Sequence, residues 1–224
     1  MSSSLNVTLA LLAGAAGMMD ALSYTRLDHV FTSAMTGNTA LLGLALGELE
    51  YAAVLRSSLA FGGFVAGLAI GALLLGNGIE RGRWSRGVTA ALWVELVLLA
   101  AFTAAWLITT DTRSTTVLYS LIVLAAAGMG LQSVAVWQLR VPGISTTFFT
   151  GTLTSIVISS VRFVRPGQDV AQKPSNTLRQ IMALVAYVVG AAIAGVAAAH
   201  QLEAVSVLPL IAVLIVLVWH IVLG

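Results

Sequence analysis

The chain has 224 residues, 58% of them hydrophobic and only 9% charged, with a formal net charge of +2. A soluble domain carries roughly 25% charged residues, so a water-soluble globular protein is excluded. The small positive balance, with no basic stripe bearing aromatics, excludes nucleic acid as a partner. There are no cysteines, which removes disulfides, thiolate chemistry and cysteine-ligated zinc or iron–sulfur centres.

Eight apolar segments follow one another along the chain. The first, Leu5–Tyr24, has no Lys or Arg before it, so it lacks the charged leader of a secretory signal and reads as a membrane helix. It carries Asp20 near its far end. The second, Thr36–Leu49, is introduced by the polar run from Thr32 to Asn38. The third, Ala53–Gly76, holds "GGFVAGLAIG", which spaces Gly63, Gly67 and Gly71 four apart for close helix packing within the protomer or across a dimer. The fourth, Val88–Ile108, contains Glu95, an acid with apolar residues for turns on either side. The fifth, Thr116–Leu139, contains Gln132. The sixth, Thr150–Val164, is again preceded by a Ser/Thr-rich run. The seventh, Leu178–Ala199, carries Gly190 and Gly195 among alanines, and the eighth is Val205–Leu223.

A spanning helix needs ~20 residues to cover a hydrocarbon core of about 30 Å. Six segments meet this. The second and sixth do not: helices from Asn38 to Glu48 and from Thr152 to Phe163 would be roughly 16 and 18 Å long. Charge tests whether they cross. Cytoplasmic loops are rich in Lys and Arg. If all eight segments crossed, the 11 basic residues would divide almost evenly between the two faces. If the second and sixth dip in and return, Arg81, Arg83, Arg86, Arg140, Arg162, Arg165, Lys173 and Arg179 share one face. Only Arg26, Arg56 and Arg113 then lie on the other. Re-entry of the sixth segment alone would be equally asymmetric. An internal likeness breaks that tie. "GMMDALSY…VFTSAMTGNTALLG" is matched in order by "GMGLQSVA…GISTTFFTGTLTSIV", each ending in a Thr-Gly turn, Thr36-Gly37 and Thr150-Gly151. Three crossings per copy is an odd number, so the copies are oppositely oriented, the inverted-repeat plan of many transporters.

The Thr-Gly turns are the leading site candidates. Non-helical backbone at membrane depth is tolerated only where protein or a watery cavity satisfies it. Ser33, Thr36 and Asn38 in one loop, and Thr146, Thr147, Thr150 and Thr152 in the other, are placed to cap the free N–H groups of the short helices. Two helix starts meeting at the bilayer centre would offer partial positive charge to a polar or anionic solute. The competing reading is that both loops only brace the fold. Asp20 and Glu95 are the candidates for proton coupling, although Asp20 is also placed to pair with Arg26. Three histidines and no carboxylate cluster give no metal site, and no cofactor motif or catalytic constellation is present.

"GMMDALSYTRLDHVFTSAMTGNTALLGLALG" resembles the opening signature of the YoaK-like bacterial membrane proteins, a family of unknown function. Asp20, Ala21, Ser23, Tyr24, Val30, Phe31, Met35, Thr36, Gly37 and Asn38 stand at its characteristic places, and "TTFFTGTLT" is similar to its second-half motif. The resemblance implies a polytopic inner-membrane protein of bacteria and supplies no activity.

The expectation is therefore an all-helical, single membrane domain over 1–224, with six spanning helices and two re-entrant half-helices. Its inverted repeats cover about 5–110 and about 114–224, and both termini are cytoplasmic. The expected function is a transporter, not an enzyme, for a small polar or anionic solute. The solute would be held by Ser33, Thr36, Gly37, Asn38, Gln132, Thr147, Thr150, Gly151 and Thr152. A passive channel is the nearest alternative, and a membrane enzyme or sensor the alternative of another class. The expected partners are the bilayer, the solute and a second copy of the chain through its glycine-rich helices.

Overall fold

The computed structural model describes residues 2–76, 84–109, 113–139, 149–164 and 174–222, and their side chains except at 2–3, 149–150, 161–164 and 174–175. The described residues form helices and no strand: α1 (Ser2–Arg26), α2 (Met35–Gly47), α3 (Tyr51–Leu75), α4 (Arg86–Ile108), α5 (Thr115–Gln138), α6 (Phe149–Val164), α7 (Pro174–Ala199) and, after a 3-10 turn at Glu203–Ser206, α8 (Val207–Val222). Sequence explains several boundaries. Ser85 and Ser114 accept from the N–H of Val88 (3.2 Å) and Val117 (3.4 Å) and so cap α4 and α5. Pro174 opens α7 and Pro209 sits in the first turn of α8, where a missing N–H costs nothing.

Six helices are long and apolar enough to cross a bilayer: α1, α3, α4, α5, α7 and α8 with its 3-10 turn. The 13 residues of α2 and 16 of α6 would measure roughly 20 and 24 Å, short of a ~30 Å core.

The ends of the helices are sorted by specific contacts. Near the start of α1, Asn6 accepts from Arg179 Nε in α7 (2.6 Å), and Thr8 meets His220 of α8 (2.9 Å). The His220 ring stacks 3.6 Å from Trp84, just ahead of α4. At the opposite, distal end, Arg26 pairs with Glu203 and Arg113 lies 3.8 Å from the same carboxylate. The Arg113 guanidinium is 4.0 Å from the centre of the buried Trp106 ring. Arg56 of α3 faces Asp28 at 3.6 Å.

The most extensive packing is α1 on α7 and α3 on α5. Both pairs run parallel, and both cross through small residues. A Cβ on Gly17 would lie 2.1 Å from the carbonyl oxygen of Tyr187, and one on Gly190 would lie 2.2 Å from that of Gly14. In the second pair, a Cβ on Gly130 would lie 2.3 Å from the oxygen of Phe64, and one on Gly67 would lie 2.1 Å from that of Ala127. The two crossings therefore use the same three-residue spacing on every strand of contact: 14 and 17 against 187 and 190, 127 and 130 against 64 and 67. Lipid tails are as apolar as leucine, so close backbone approach, rather than exclusion from water, is what holds such helices together.

Gly63, Gly67 and Gly71 all face α5, at 3.0 Å or less from Val123 and Ala127 oxygens and 3.1 Å from Val134 Cβ. That stripe is consumed inside the protomer and leaves none of itself for contact between copies. Gly195 departs from expectation: nothing lies within 4 Å of its Cβ position. Five residues turn a helix by about 140° beyond a full turn, so Gly195 points away from the face that Gly190 uses. Gly190→Ala and Gly67→Ala should each lose about 1–3 kcal/mol of stability from overpacking, whereas Gly195→Ala and Gly43→Ala, which meet open space, should be neutral or slightly stabilising. Reversible unfolding in mixed micelles measures the difference.

Candidate functional site

α1 ends in a left-handed turn. Asp28 and His29 adopt φ of 57° and 65°, and His29 N–H bonds back to Tyr24 O (3.1 Å). Left-handed backbone is unfavourable for residues with a Cβ, but it reverses the chain within two residues. The segment from Val30 to Ala34 then runs back along α1 without forming a helix. Its backbone groups still need partners, and two buried side chains supply them.

Asp20 is 2% exposed. Its Oδ1 accepts from the N–H of Thr32 (2.8 Å) and Ser33 (2.7 Å) and from the Thr32 hydroxyl (3.4 Å). Its Oδ2 accepts from the Ser33 hydroxyl (2.6 Å) and from Tyr187 of α7 (2.7 Å). Five donors converge on one carboxyl group, which acts toward all of them as acceptor. Asn38 does the same for the preceding residue: its Oδ1 accepts from Phe31 N–H (2.9 Å) and its Nδ2 donates to Phe31 O. The Phe31 ring stacks on Tyr24 at 5.0 Å. A Cβ on Gly37 would lie 2.9 Å from that ring, so the Thr-Gly turn needs glycine to seat Phe31.

This geometry corrects the expected capping. Ala34 is the N-cap of α2 and makes no side-chain cap bond. Ser33 and Asn38 are instead turned back onto Asp20 and Phe31, because the irregular strand upstream has more unsatisfied backbone than the helix start. Thr36 is exposed, and the N–H groups of Thr36 and Gly37 precede the first intrahelical bond of α2. Asp20 does not meet Arg26, which binds Glu203.

In the second half, Gly151 is exposed with open space around it, and Thr152, at the place of Asn38, is 1% exposed. Thr146, Thr147 and the side chain of Thr150 lie outside the described residues. Among the described residues α2 packs on α3 and α6 on α7, with no extensive packing of α2 on α6. Gln132 is fully buried and donates to Leu12 O of α1 (3.0 Å), while its Oε1 has no partner. Glu95 is fully buried and neither carboxyl oxygen has a partner among the described residues. Its Cγ packs toward Gly128 of α5, 3.8 Å from that residue's Cβ position. No group of three or more metal-ligating side chains occurs among the described residues.

Sequence reasoning missed the pocket between α2 and α3. It measures about 190 Å³ and is lined by Asp28, His29, Glu48, Glu50, Arg56 and Ser57 together with apolar residues of α2. The charge run Glu48–Glu50 just after the short helix was the available signal.

Asn38→Ala would strand both backbone groups of Phe31 and should cost about 2–4 kcal/mol. Thr36→Val, at an exposed position, should stay within about 0.5 kcal/mol. Thermal unfolding of the purified variants in detergent distinguishes the two.

Residues 8–219 match the family described as "Protein of unknown function (DUF1275)". The chain is 36% identical over 194 residues, 86% of its own length and 83% of the relative's, to the UPF0700 transmembrane protein YoaK of Bacillus subtilis (strain 168). No solved structure matches it. With six apolar helices of spanning length among the described residues and these matches over most of its sequence, the chain belongs to the DUF1275 family of unknown function.

Proposed function

We propose that the protein is a transporter for a small polar solute in the bacterial cytoplasmic membrane, built from two interlocked inverted repeats with α2 and α6 as re-entrant half-helices. The observation that carries this reading is the Asp20-braced strand. Asp20 lies six residues past the midpoint of α1, about 9 Å along its axis, within the ~15 Å half-thickness of the hydrocarbon core. Irregular backbone at that depth is tolerated where protein satisfies it or where it lines a watery cavity, and in transporters it flanks the solute path.

Three further observations support the architecture. α1 ends where α3 begins, as Asp28 and Arg56 face each other across the whole of α2. The parallel pairs α1–α7 and α3–α5 repeat one crossing geometry, as expected if α1 corresponds to α5 and α3 to α7. The packing of α2 on α3 is matched by α6 on α7, and that of α4 on α5 by α1 on α8. Charge then sets the orientation. Arg26, Arg56 and Arg113 lie at the distal end and are ion-paired there, whereas Arg86 at the start of α4 and Arg179 in α7 lie at the end where α1 starts, and in this reading the connections holding the other basic residues join that end. That end is cytoplasmic in this reading, with both termini.

The hydroxyl of Thr36 and the free N–H groups of Thr36 and Gly37 are the proposed solute contacts, with the pocket between α2 and α3 as vestibule. Asp20 already answers the positive field at this helix start, so a neutral or zwitterionic solute fits better than a strong anion. A passive channel would use the same contacts but show flux independent of any gradient. A catalytic role has no residue constellation to support it.

Two tests follow. Single cysteines at Asp28 and Glu50, on either side of α2, should react with an impermeant label from the same face of sealed vesicles; reaction from opposite faces contradicts the re-entrant reading. A solute that raises the melting temperature of the parent protein should bind Thr36→Val roughly 2- to 12-fold more weakly, as expected for one lost hydrogen bond of about 0.5–1.5 kcal/mol. Unchanged affinity would move the site elsewhere.

A further inference from the structure

Two acids are buried among the described residues, and their surroundings are opposite. Asp20 receives five donors. Glu95 receives none from the described residues. It lies on α4 nine residues after Arg86, about 14 Å along the helix, with no exposure. The α5 segment facing it, Ala125 to Leu131, is wholly apolar or glycine and buried. Among the described residues no charged group opposes it from any packed element. On α3, Arg56 is at the distal end and bound to Asp28. Glu203 in the 3-10 turn is at that end with Arg26 and Arg113. On α8, His220 is at the other end against Thr8 and Trp84. On α5, Tyr119 is in the second turn, also at the distal end.

A carboxylate with neither donor nor cation beside it is not sustained in so apolar a place, whereas a neutral acid is. One turn along α5 from Gly128, the Gln132 amide is spent on Leu12 O of α1 and supplies no donor to Glu95.

We infer that Glu95 is a proton-binding site: its carboxyl holds a proton while α4 and α5 are packed as described, and gives it up when that seam opens to water. The inference rests on the transport reading only for its consequence, which is that one proton is exchanged per opening of the seam and couples solute movement to a proton gradient.

Infrared spectroscopy of the protein in lipid vesicles reads the proton directly. The parent protein at neutral pH should show the C=O stretching band of a protonated carboxylic acid. Glu95→Gln should lose it, and Asp20→Asn should retain it. Absence of the band in the parent, or its persistence in Glu95→Gln, overturns the inference. A second readout uses a solute found to move in proteoliposomes. Glu95→Gln should keep solute exchange at equal pH but lose several-fold accumulation driven by an imposed pH gradient. Accumulation equal to that of the parent overturns coupling through Glu95. If no solute moves with the parent protein, the transport reading fails while the infrared band still decides the protonation of Glu95.

Discussion

One carboxylate makes the unusual part of this fold possible. The solvent of a membrane protein offers no hydrogen bonds, so each N–H and C=O outside a helix must be answered by the protein. Between Phe31 and Ser33 the chain is not helical, yet every backbone donor is bound: Phe31 to Asn38, Thr32 and Ser33 to Asp20. The next two carbonyls accept from Met35 and Asn38 N–H groups. Remove Asp20 and three side-chain donors and two amides lose their acceptor together. The position of α2, the seating of Phe31 over Gly37 and the exposure of Thr36 all follow from that brace.

The brace is also where the two halves of the chain meet. Tyr187, which donates to Asp20, sits at the α1–α7 crossing, where its own carbonyl lies against Gly17. A parallel pair held by backbone contact has few side chains to repack if the helices slide or rotate. Any such shift of α7 on α1 would move the Tyr187 hydroxyl, and with it the carboxylate that fixes the Thr32–Ser33 strand. The crossing and the strand are in this way one mechanical unit. The corresponding α3–α5 crossing has Phe64 where Tyr187 stands and so lacks the polar link. The α4–α5 seam beside it holds the unpartnered Glu95. The two halves thus share a packing geometry and differ in their polar chemistry.

Much of the architecture was legible in the sequence. Apolar runs locate the eight described α-helices to within a few residues, since a membrane helix is specified by length and composition. The two short segments and the Thr-Gly turns stood out for the same reason. The roles of the polar residues were harder to read. Ser33 and Asn38 have the composition of helix caps, but their partners are decided by which nearby backbone is left without hydrogen bonds, a property of the folded chain. Asp20 and Tyr187 are separated by 167 positions, and no local pattern announces their contact. Gly14, Gly17 and Gly130 were passed over because alanines and methionines around them carry no regular four-residue stripe. Gly195 was included because composition does not say which way a residue points.

Amide hydrogen exchange at Thr32 and Ser33 tests the central role of Asp20 most directly. These two N–H groups belong to no helix, so protection there can come only from the carboxylate. The account predicts that in lipid nanodiscs both exchange as slowly as amides within α1, and that Asp20→Ala makes them exchange freely while the α1–α7 crossing stays protected. Free exchange of both amides in the parent protein, or their continued protection in Asp20→Ala, would contradict it.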